Sequence, residues 1–327
     1  MRLVVVGPGA LGCLVAARLA PVACGGLALL DHRPERARLI EHQGIILEAE
    51  GQSRRVDLAV SADPPSLAPA EVVLLCVKAP ALPVALHRIR PLCTPETLLI
   101  LMQNGIAHLA VTAPGGATIA FGVSAEGATL LAPGHVRHAG RGKTWFGFLA
   151  DATVAGQRKL EQVAGCWRRA GFDARVCDDI RERIWAKLLV NVAINALSAL
   201  HGRSNGQLLV SCALRVRMTE AVREAAAVAV AAGIVPPADP MALVARVCRA
   251  TSRNLSSMLQ DVRHQRPTEI EAINGAVVAL GQHLGVATPV NARLLAQVKA
   301  LEAGYATGGA GAGPDADSPP GTERHGG

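Results

Sequence analysis

The amino-terminal half of the chain alternates between continuous apolar runs and amphipathic stretches. In "MRLVVVGPGALGCLVAARLA" a valine-rich run ends at Gly7, and an apolar helical stretch follows. "LALLDHRPERARLI" repeats this order, and further buried strands are predicted at 72–77 and 97–102. Short apolar runs bounded by turn residues are typical of strands in a parallel sheet. Residues 117–150 hold short β-like pieces with Gly and Pro turns, which we expect to complete the edge of that sheet.

Beyond about residue 177 the pattern becomes helical. Helices are predicted at 180–201, 211–233, 240–265, 268–284 and 291–303. The change predicts an α/β plus all-α architecture with a cleft between two domains. Residues 1–177 would form a Rossmann-type doubly wound sheet, and residues 178–305 a helical substrate and catalytic domain. Residues 306–327 hold too few apolar groups to offset the entropy of ordering, which predicts a disordered tail.

A glycine-rich turn joins the first predicted strand to the first predicted helix. Gly7, Gly9 and Gly12 form a G-x-G-x-x-G pattern that encloses Ala10 and Leu11. The first glycine allows a tight turn, the second lets the backbone approach a pyrophosphate, and the third allows close packing of the helix. Backbone N–H groups at the start of the helix would receive the phosphates. Because strand, turn and helix come in the required order, the pattern predicts a dinucleotide-binding loop.

Asp31 ends the second predicted strand, about 19 residues after Gly12. An acid at this position usually holds the ribose hydroxyls of NAD. Arg33 and Arg36 follow directly, where cations could meet the 2′-phosphate of NADP. Asp31 could equally cap the helix that begins near Pro34. The residues therefore leave both NADP(H) and NAD(H) open.

The next two predicted strands also end in polar residues. Lys78 follows one of them, and Gln103-Asn104-Gly105 follows the other. Doubly wound sheets bind ligands at the carboxyl ends of their strands, so we expect Lys78 and Asn104 to face the glycine-rich turn. Asn-Gly is also common turn chemistry, so Asn104 by itself does not decide between a ligand contact and a turn.

The helix predicted at 180–201 carries a polar stripe on an otherwise apolar run. Lys187, Asn191 and Asn195 are spaced by four residues in "IWAKLLVNVAIN". Four residues advance about 400° on an α-helix, so the three side chains lie on nearly the same face. Buried without partners, each group would cost roughly 1–3 kcal/mol. The three side chains either satisfy one another in a structural network or face a polar ligand, and the stripe alone leaves both interpretations open.

A second polar cluster lies in "NLSSMLQDVRHQRPTEIEAING". Asn254 and Ser257 are about one helical turn apart, and Glu269 follows a proline. Thr268 and Glu271 fit a capping box at the start of the next predicted helix. Glu269 lies at the edge of that helix's apolar face, where a carboxylate could bond an amine or a substrate hydroxyl. The alternative is a solvated glutamate that the helix dipole favours.

Composition narrows the classes of function. The 327-residue chain has a net charge of +7, which favours anionic small molecules as ligands. Aromatic residues make up only 2%, too few for base-stacking platforms, so nucleic acid is not an expected partner. Apolar runs are interrupted by charges or helix breakers before they reach the length of a membrane span, so a membrane is not expected either. The eight cysteines are scattered without a CxxC pair, which predicts neither a metal site nor a disulfide framework.

Lysine is rare in this chain. Of the 33 lysine and arginine residues only five are lysines, yet Lys78 and Lys187 lie within apolar runs. A desolvated lysine can lose and regain a proton, whereas arginine stays charged. Placement by chance, with the amine reaching to solvent, is the alternative explanation.

The motifs, in this order, resemble those of the ketopantoate reductase (2-dehydropantoate 2-reductase) family. They are the amino-terminal glycine pattern with "VKA", the "QNG" turn, "RERIWAKLLVNVAINALSAL", and "NLSSMLQDVRHQRPTEIEAING" with "GVATPVN". The resemblance runs from Met1 to about Tyr305. It implies a Rossmann domain, a helical carboxyl-terminal domain, and a cleft that holds NADPH and ketopantoate. It also implies a cytoplasmic enzyme of pantothenate, and hence coenzyme A, synthesis.

The resemblance implies a role for individual residues. Lys187 matches the catalytic lysine, and Lys78 and Asn104 match the pair beside the nicotinamide. The residues that would bind the substrate are Asn191, Asn195, Ser257 and Glu269, with Asn205 and Asn254 as further polar positions near it. The residues themselves and the resemblance together predict the cofactor-binding set Gly7, Gly9, Ala10, Leu11, Gly12, Asp31, Arg33, Lys78, Asn104 and Glu269.

Two departures from the family pattern stand out. "APALPVAL" after Lys78 lacks the glutamine that members commonly have near its fourth position. Asp31 stands where the reductase usually offers a basic group for the 2′-phosphate. The resemblance therefore predicts NADP(H), while Asp31 keeps NAD(H) open.

Two other functions stay open from the sequence. One is a paralogous reductase of another 2-oxo acid, because sequence does not show the shape of the pocket. The other is a Rossmann protein that senses a dinucleotide without catalysis. Lys187 together with Glu269 favours an enzyme acting on a small 2-oxo acid, because a sensor has no use for the pair. A homodimer is compatible with the helical half, although no surface signal in the sequence requires one.

Overall fold

The computed structural model describes residues 1–23 and 25–305, so the predicted tail at 306–327 lies outside the described residues. The described residues form strands in two sheets. The strands are β1 (Leu3–Val6), β2 (Leu27–Leu30), β3 (Ile45–Ala49), β4 (Gln52–Val56), β5 (Ala59–Ser61), β6 (Val72–Leu75), β7 (Leu98–Leu101), β8 (Thr118–Ser124), β9 (Gly127–Ala132), β10 (His135–Gly140), β11 (Lys143–Gly147) and β12 (Asp173–Val176).

Helices connect these strands and make up the rest of the chain. They are α1 (Ala10–Leu19), α2 (Pro34–Gln43), α3 (Leu82–Arg88), α4 (Val154–Arg169), α5 (Ile180–His201), α6 (Asn205–Val210), α7 (Cys212–Ala231), α8 (Pro240–Ala250), α9 (Ser257–Arg263), α10 (Ala276–Leu284) and α11 (Pro289–Ala303). A π-helical segment, Glu271–Gly275, directly precedes α10. The sheets thus belong to the amino-terminal half and the larger helices after α4 to the carboxyl-terminal half.

The main sheet has eight strands in the order β12-β11-β8-β7-β6-β1-β2-β5. The six strands from β5 to β8 in this order are parallel, and β11 runs antiparallel to β8. This is the strand order of a doubly wound dinucleotide-binding fold, with its switch point between β1 and β6. The predicted Rossmann-type domain is confirmed.

A second, four-stranded sheet was not predicted. Its order is β4-β3-β10-β9, with β10 parallel to β3. The prediction that residues 117–150 complete the edge of the main sheet is therefore only partly right: β8 and β11 join that sheet, but β9 and β10 do not. The pairing of β10 with β3 joins segments far apart in the chain, so no local pattern in either segment could indicate it.

The central strands bury both faces, which explains their continuous apolar runs. In β1, Val4 and Val6 pack in a core shared with the helical half, and Leu3 and Val5 pack in a core on the opposite side. Because side chains alternate along a strand, each neighbouring pair of residues serves two cores. The helix α5 lies in the first of these cores, directly against the sheet.

The helical half follows the predicted pattern with two corrections. Helix α5 covers the predicted segment 180–201, but the helix predicted at 240–265 is two helices. The turn between α8 and α9 ends at Ser256, whose hydroxyl accepts a hydrogen bond from Leu259 N at 3.0 Å and caps α9. A serine N-cap is a strong local start signal, and it stops the continuous helix that apolar spacing suggests.

The capping box predicted for Thr268 and Glu271 is also wrong. Thr268 Oγ1 accepts from Ile270 N at 3.2 Å, and Glu271 pairs with Lys299 at 2.8 Å. The π-helical segment, which begins at Glu271, is held by Asn274, which donates to Asn291 Oδ1 at 2.9 Å. Tertiary partners on α11 thus replace the local capping contacts.

Helix α5 is long and apolar enough by composition to cross a membrane, and no other helix of the described residues is. Of its most apolar 18-residue window, 67% is buried inside the protein. Such burial is typical of the core helix of a globular domain.

Candidate active site

The glycine-rich turn between β1 and α1 has the geometry that its sequence predicts. Gly7 has a φ of +96°, and a Cβ there would lie 2.7 Å from Val77 Cγ1. A Cβ on Gly12 would overlap the carbonyl oxygen of Gly7. A Cβ on Gly9, in contrast, would meet no protein atom within 4 Å. The turn therefore keeps open space against its backbone where a pyrophosphate fits.

Asp31 follows β2 and forms a bidentate ion pair with Arg36 of α2. Arg36 Nε and Nη2 donate to its two carboxylate oxygens at 2.5 and 2.6 Å. Arg33 N donates to the same carboxylate at 3.2 Å, while the Arg33 side chain is exposed. Burial raises the pKa of Asp31, but hydrogen bonding to Arg36 and its charge outweigh burial and hold that pKa below its ordinary value. The N-cap of α2 is Arg33, so Asp31 is not the cap that the alternative interpretation required.

Lys187 points from α5 towards the carboxyl end of β8. Its amine donates to the carbonyl oxygen of Ser124 at 2.7 Å. The residue is partly exposed, yet its amine lies deep enough for burial to lower the pKa of Lys187 to about 8, with the Glu269 carboxylate acting in the opposite direction. The structure thus brings a titratable amine to the same sheet edge as the glycine-rich turn.

Glu269 is buried and forms hydrogen bonds with the amino-terminal half. Its two carboxylate oxygens accept from Ala79 N at 3.1 Å and from Asn104 Nδ2 at 2.8 Å. The interpretation as a solvated first-turn glutamate is wrong. In the described part of the chain, Glu269 forms no direct ion pair with Lys187, and its influence on that amine is through space.

Lys78 also reaches across the cleft. Its amine lies 2.6 Å from Asp261 Oδ1 on α9 and donates to Pro267 O at 2.9 Å. The sequence predicted Lys78 as a site residue but did not single out Asp261. Asp261 lies four residues after Ser257, so this helical spacing, typical of side chains on one face, could have indicated it.

Gly105 is a second residue that the sequence did not single out. It has a φ of +82°, and a Cβ there would overlap the carbonyl oxygen of Ala272 in the π-helical segment. The turn that carries Asn104 therefore packs backbone to backbone against the segment that follows Glu269. π-Helical turns often occur at functional sites.

The other predicted residues of α5 and α9 differ in their exposure. Asn195 is buried on α5, and Asn191 is half-buried one turn before it. Ser257 is exposed at the first position of α9, whereas its neighbour Ser256 is buried and serves as the cap. Among the described residues, no hydrogen bond joins the side chains of the polar stripe to one another, so the interpretation as a self-satisfied network is not supported.

Asn205 and Asn254 meet at the turns beside α6 and α9. Asn205 N donates to Asn254 O at 3.0 Å, and Asn205 Nδ2 donates to Thr251 Oγ1 at 2.9 Å. Asn205 Oδ1 is buried and has no hydrogen-bond partner among the described residues. Asn254 Nδ2 lies 3.9 Å from the Cβ position of Gly140, which places it beside the second sheet.

His108 is a buried titratable residue that the sequence analysis missed. Burial, followed by the charge of Lys187, lowers the pKa of His108 to about 4. The imidazole is therefore neutral near pH 7 and adds no second cation beside the amine. A single histidine after a turn carries no local signal that could have identified it.

Fold and site together define a two-domain oxidoreductase of the Rossmann class, with a lysine at the cleft. The sequence matches the family description "Ketopantoate reductase PanE/ApbA" over residues 3–151 and "Ketopantoate reductase PanE/ApbA C terminal" over residues 179–302. The 2-dehydropantoate 2-reductase of Halobacterium salinarum is 35% identical over 297 residues, which cover 89% of this chain and 95% of that protein. The chain belongs to the ketopantoate reductase family, and the predicted family and oxidoreductase class are confirmed.

Solved structures agree with this assignment. A PanE/ApbA family ketopantoate reductase from Ralstonia eutropha JMP134 superimposes with a TM-score of 0.83 at 30% identity, covering 94% of this chain and 100% of that chain. D-mandelate dehydrogenase, in a ternary structure with NADH and anilino(oxo)acetate, has a TM-score of 0.85 at 25% identity, with the same two coverages. The fold of this chain is therefore similar to that of proteins with more than one name, a ketopantoate reductase and a D-mandelate dehydrogenase.

Proposed function

We propose that this protein reduces 2-dehydropantoate to pantoate with NADPH and that Lys187 is the general acid. The observation that supports the proposal most directly is the position of the Lys187 amine, 2.7 Å from Ser124 O at the carboxyl edge of the sheet. Relatives with high coverage are named for this reaction. As the family resemblance implies, we place the reaction in pantothenate and coenzyme A synthesis in the cytoplasm.

The residues present fit a nicotinamide dinucleotide. The open backbone at Gly9 and the N–H groups that begin α1 would hold the pyrophosphate. The residues that would surround the rest of the cofactor are Gly7, Ala10, Leu11, Gly12, Asp31 and Arg33 towards the adenosine, and Lys78, Asn104 and Glu269 towards the nicotinamide. These side chains come from the ends of neighbouring parallel strands, where doubly wound folds bind such ligands.

When bound, the reduced nicotinamide supplies a hydride to the ketone carbon of the substrate. Negative charge then develops on the carbonyl oxygen, and the ammonium of Lys187 stabilises it and delivers the proton. Such a positioned acid contributes about 10²–10⁴-fold to the rate. The ammonium has three N–H bonds. One donates to Ser124 O at 2.7 Å, and another would donate to the substrate oxygen. The negative charge of Glu269 favours the protonated amine.

The helical half supplies the groups that would hold the substrate. The exposed hydroxyl of Ser257, at the start of α9, and nearby backbone N–H groups would receive the carboxylate. Asn191 and Asn195 on α5 would orient the amine and the substrate hydroxyl. Asn205, with its unpartnered carbonyl oxygen among the described residues, and Asn254 would add polar contacts at the border of the pocket.

The preference for NADPH rests on the charges after β2. Arg36 already neutralises Asp31, and the guanidinium of Arg33 remains exposed beside them. A 2′-phosphate would therefore meet a cation at Arg33 and a neutralised acid at Asp31. We expect Arg33→Ser to lower kcat/KM for NADPH about tenfold with little change for NADH. Arg38→Ser, an exposed arginine of the same helix, is the matched control. A large NADH preference in the unaltered protein would contradict this cofactor assignment.

The experiment that tests the reaction is a substrate panel with both cofactors. Purified protein should consume NADPH absorbance when ketopantoate is added, and Lys187→Ala should abolish most of that consumption. Absence of turnover with NADPH and with NADH, in a sample that circular dichroism shows to be folded, would contradict the proposal. The sequence leaves a homodimer open, and light scattering on the same sample measures the oligomeric state.

A paralogous reductase of another 2-oxo acid is the second candidate. It is favoured by the close structural similarity to D-mandelate dehydrogenase, whose name records a different substrate. The panel should therefore include aromatic 2-oxo acids, and a higher kcat/KM for one of them than for ketopantoate would establish this alternative. The non-catalytic sensor is disfavoured because the chain belongs to an oxidoreductase family.

A further inference from the structure

Asp261 is a charged residue at the cleft that has no role in the proposed mechanism. It projects from α9 four residues after Ser257, and its carboxylate lies 2.6 Å from Lys78 Nζ across the cleft. The side chain of Asp261 is only 14% exposed, while that of Lys78 is 43% exposed. The pair therefore joins a nearly buried acid on the helical half to a partly exposed lysine on the edge of the sheet.

The surroundings of Asp261 make this pairing necessary to the acid. Glu269 and Tyr305 lie close enough to interact with its charge, and Arg266 opposes them. The hydroxyl of Tyr305 is buried and has no hydrogen-bond partner among the described residues. A nearly buried carboxylate beside another carboxylate is costly unless a cation compensates it, and Lys78 is the cation in contact with it.

The surroundings of Lys78 make the pairing equally important to the amine. Lysine has a long flexible side chain, and holding it in one geometry loses side-chain entropy. Without Asp261, the one hydrogen-bond acceptor left to the amine among the described residues would be the carbonyl oxygen of Pro267, 2.9 Å away. A side chain that is 43% exposed would then extend into solvent instead of into the cleft.

We infer that Asp261 is a positioning residue that fixes the ammonium of Lys78 at the mouth of the cleft. It acts through Lys78 and does not itself touch the ligands. The inference rests on the proposed function in one respect, namely that Lys78 serves the bound dinucleotide and the reacting centre. Through α9, the same contact ties the position of Lys78 to that of Ser257.

A double-mutant cycle tests this role. Asp261→Asn keeps the shape of the side chain but removes its charge. It should reproduce most of the defect of Lys78→Ala, about tenfold in the dinucleotide Kd or in kcat/KM for ketopantoate. In the Lys78→Ala background, Asp261→Asn should change either constant by less than about twofold, because the residue it positions is gone. A merely structural role would instead give the same loss in both backgrounds.

Glu48→Gln is the matched control, since Glu48 pairs with His135 at 2.8 Å and Arg137 at 2.7 Å on the second sheet. It should leave both constants within about twofold of the unaltered protein. Additive losses, an unaffected Asp261→Asn variant, or an unaffected Lys78→Ala variant would overturn the inference.

Dinucleotide titration by fluorescence needs no substrate, so a protein that fails to reduce ketopantoate would contradict the proposed function while the binding cycle still decides the role of Asp261.

Discussion

A lysine amine becomes a stronger acid when it is withdrawn from water, and Lys187 shows this effect at the cleft. Burial lowers its pKa to about 8, and the charge of Glu269 limits the decrease. The neighbouring imidazole of His108 stays neutral near pH 7 because burial and Lys187 lower its pKa to about 4. The Lys187 amine therefore has a pKa suited to the general-acid role that we propose for it.

Replacement of Lys187 tests its role directly. We expect Lys187→Ala to lower kcat by at least roughly 10²-fold. Lys187→Arg should recover little, because arginine keeps its proton at any ordinary pH. Lys159→Ala is the control, since Lys159 is half-buried on α4 and donates to Glu96 O on the far side of the sheet from α5. A kcat for Lys187→Ala near that of the control would contradict the general-acid assignment.

The pH dependence of reduction follows from the same pKa. The amine must be protonated to donate, so kcat should be nearly constant well below pH 8, reach half of its maximum near the Lys187 pKa of about 8, and fall further above it. Glu269 raises that pKa, so Glu269→Gln should move the falling limb towards lower pH. Steady-state rates of the unaltered protein and of Glu269→Gln between about pH 6 and pH 10 locate the falling limb of each. A limb that stays in place in Glu269→Gln would show that the carboxylate does not act on this amine.

At the level of structural elements, two glycines have opposite reasons to lack a side chain. Gly9 has open space around its missing Cβ, whereas the missing Cβ of Gly105 would overlap Ala272 O. The first therefore leaves room for a ligand, and the second lets two segments of the protein approach closely. Alanine substitution distinguishes the two glycines, because only the substitution at Gly105 should disturb the fold.

Gly9→Ala should weaken the dinucleotide without disturbing the fold. Its φ of −78° is ordinary for any residue, and the added methyl meets no protein atom within 4 Å. We expect the dinucleotide Kd to rise at least about tenfold, because the methyl occupies the approach of the pyrophosphate. The Tm of the ligand-free protein should stay the same. Unchanged Kd would show that the cofactor does not lie against this turn.

Gly105→Ala should instead destabilise the protein. Gly105 has a φ of +82° and a close backbone neighbour, whereas Gly51 has a φ of +77° and no atom within 4 Å of its Cβ position. Gly51→Ala therefore carries only the backbone strain, about 1 kcal/mol. Gly105→Ala should exceed it by roughly 1–3 kcal/mol, because the turn must also move away from the π-helical segment. Urea denaturation of both variants measures the difference, and equal losses would mean that the close approach is unimportant.

At the scale of the whole molecule, polar contacts between the halves converge on one side of the cleft. Glu269 accepts from Ala79 N and Asn104 Nδ2, and Lys187 donates to Ser124 O, so each half holds a functional group of the other. The site therefore depends on how the helical half lies against the sheet. The boundary between domains at residues 177 and 178 stays a prediction, with β12 ending at Val176 and α5 beginning at Ile180.

Removal of residues 306–327 should leave this arrangement intact. The match to the family's carboxyl-terminal description ends at residue 302, before the removed segment. We expect the truncated protein to keep kcat/KM and Tm within experimental error, because the segment has too few apolar groups to contribute to a core. Activity and thermal unfolding of the shortened chain check this, and a loss of either would assign the segment a role.

Local patterns predicted those parts of the molecule that local physics controls. The valine-rich strand, the glycine-rich turn and helix α5 follow from periodicity and glycine spacing within about 20 residues. The single helix predicted at 240–265 failed because a serine cap at Ser256 outweighed apolar spacing. The second sheet and the environment of His108 depend on residues distant in sequence, and no local pattern encodes them.

By itself the sequence determined the doubly wound sheet, the helical second half, and the presence of Lys187, Asn104 and Glu269 among the polar residues of the chain. Only the tertiary structure decided which of these groups meet. In the folded protein Glu269 accepts a hydrogen bond from Asn104, Lys187 donates to Ser124 O, and Lys78 pairs with Asp261. The physical reason is that periodicity records how each segment buries its own apolar face, whereas hydrogen bonds across a cleft depend on the packing of one half against the other.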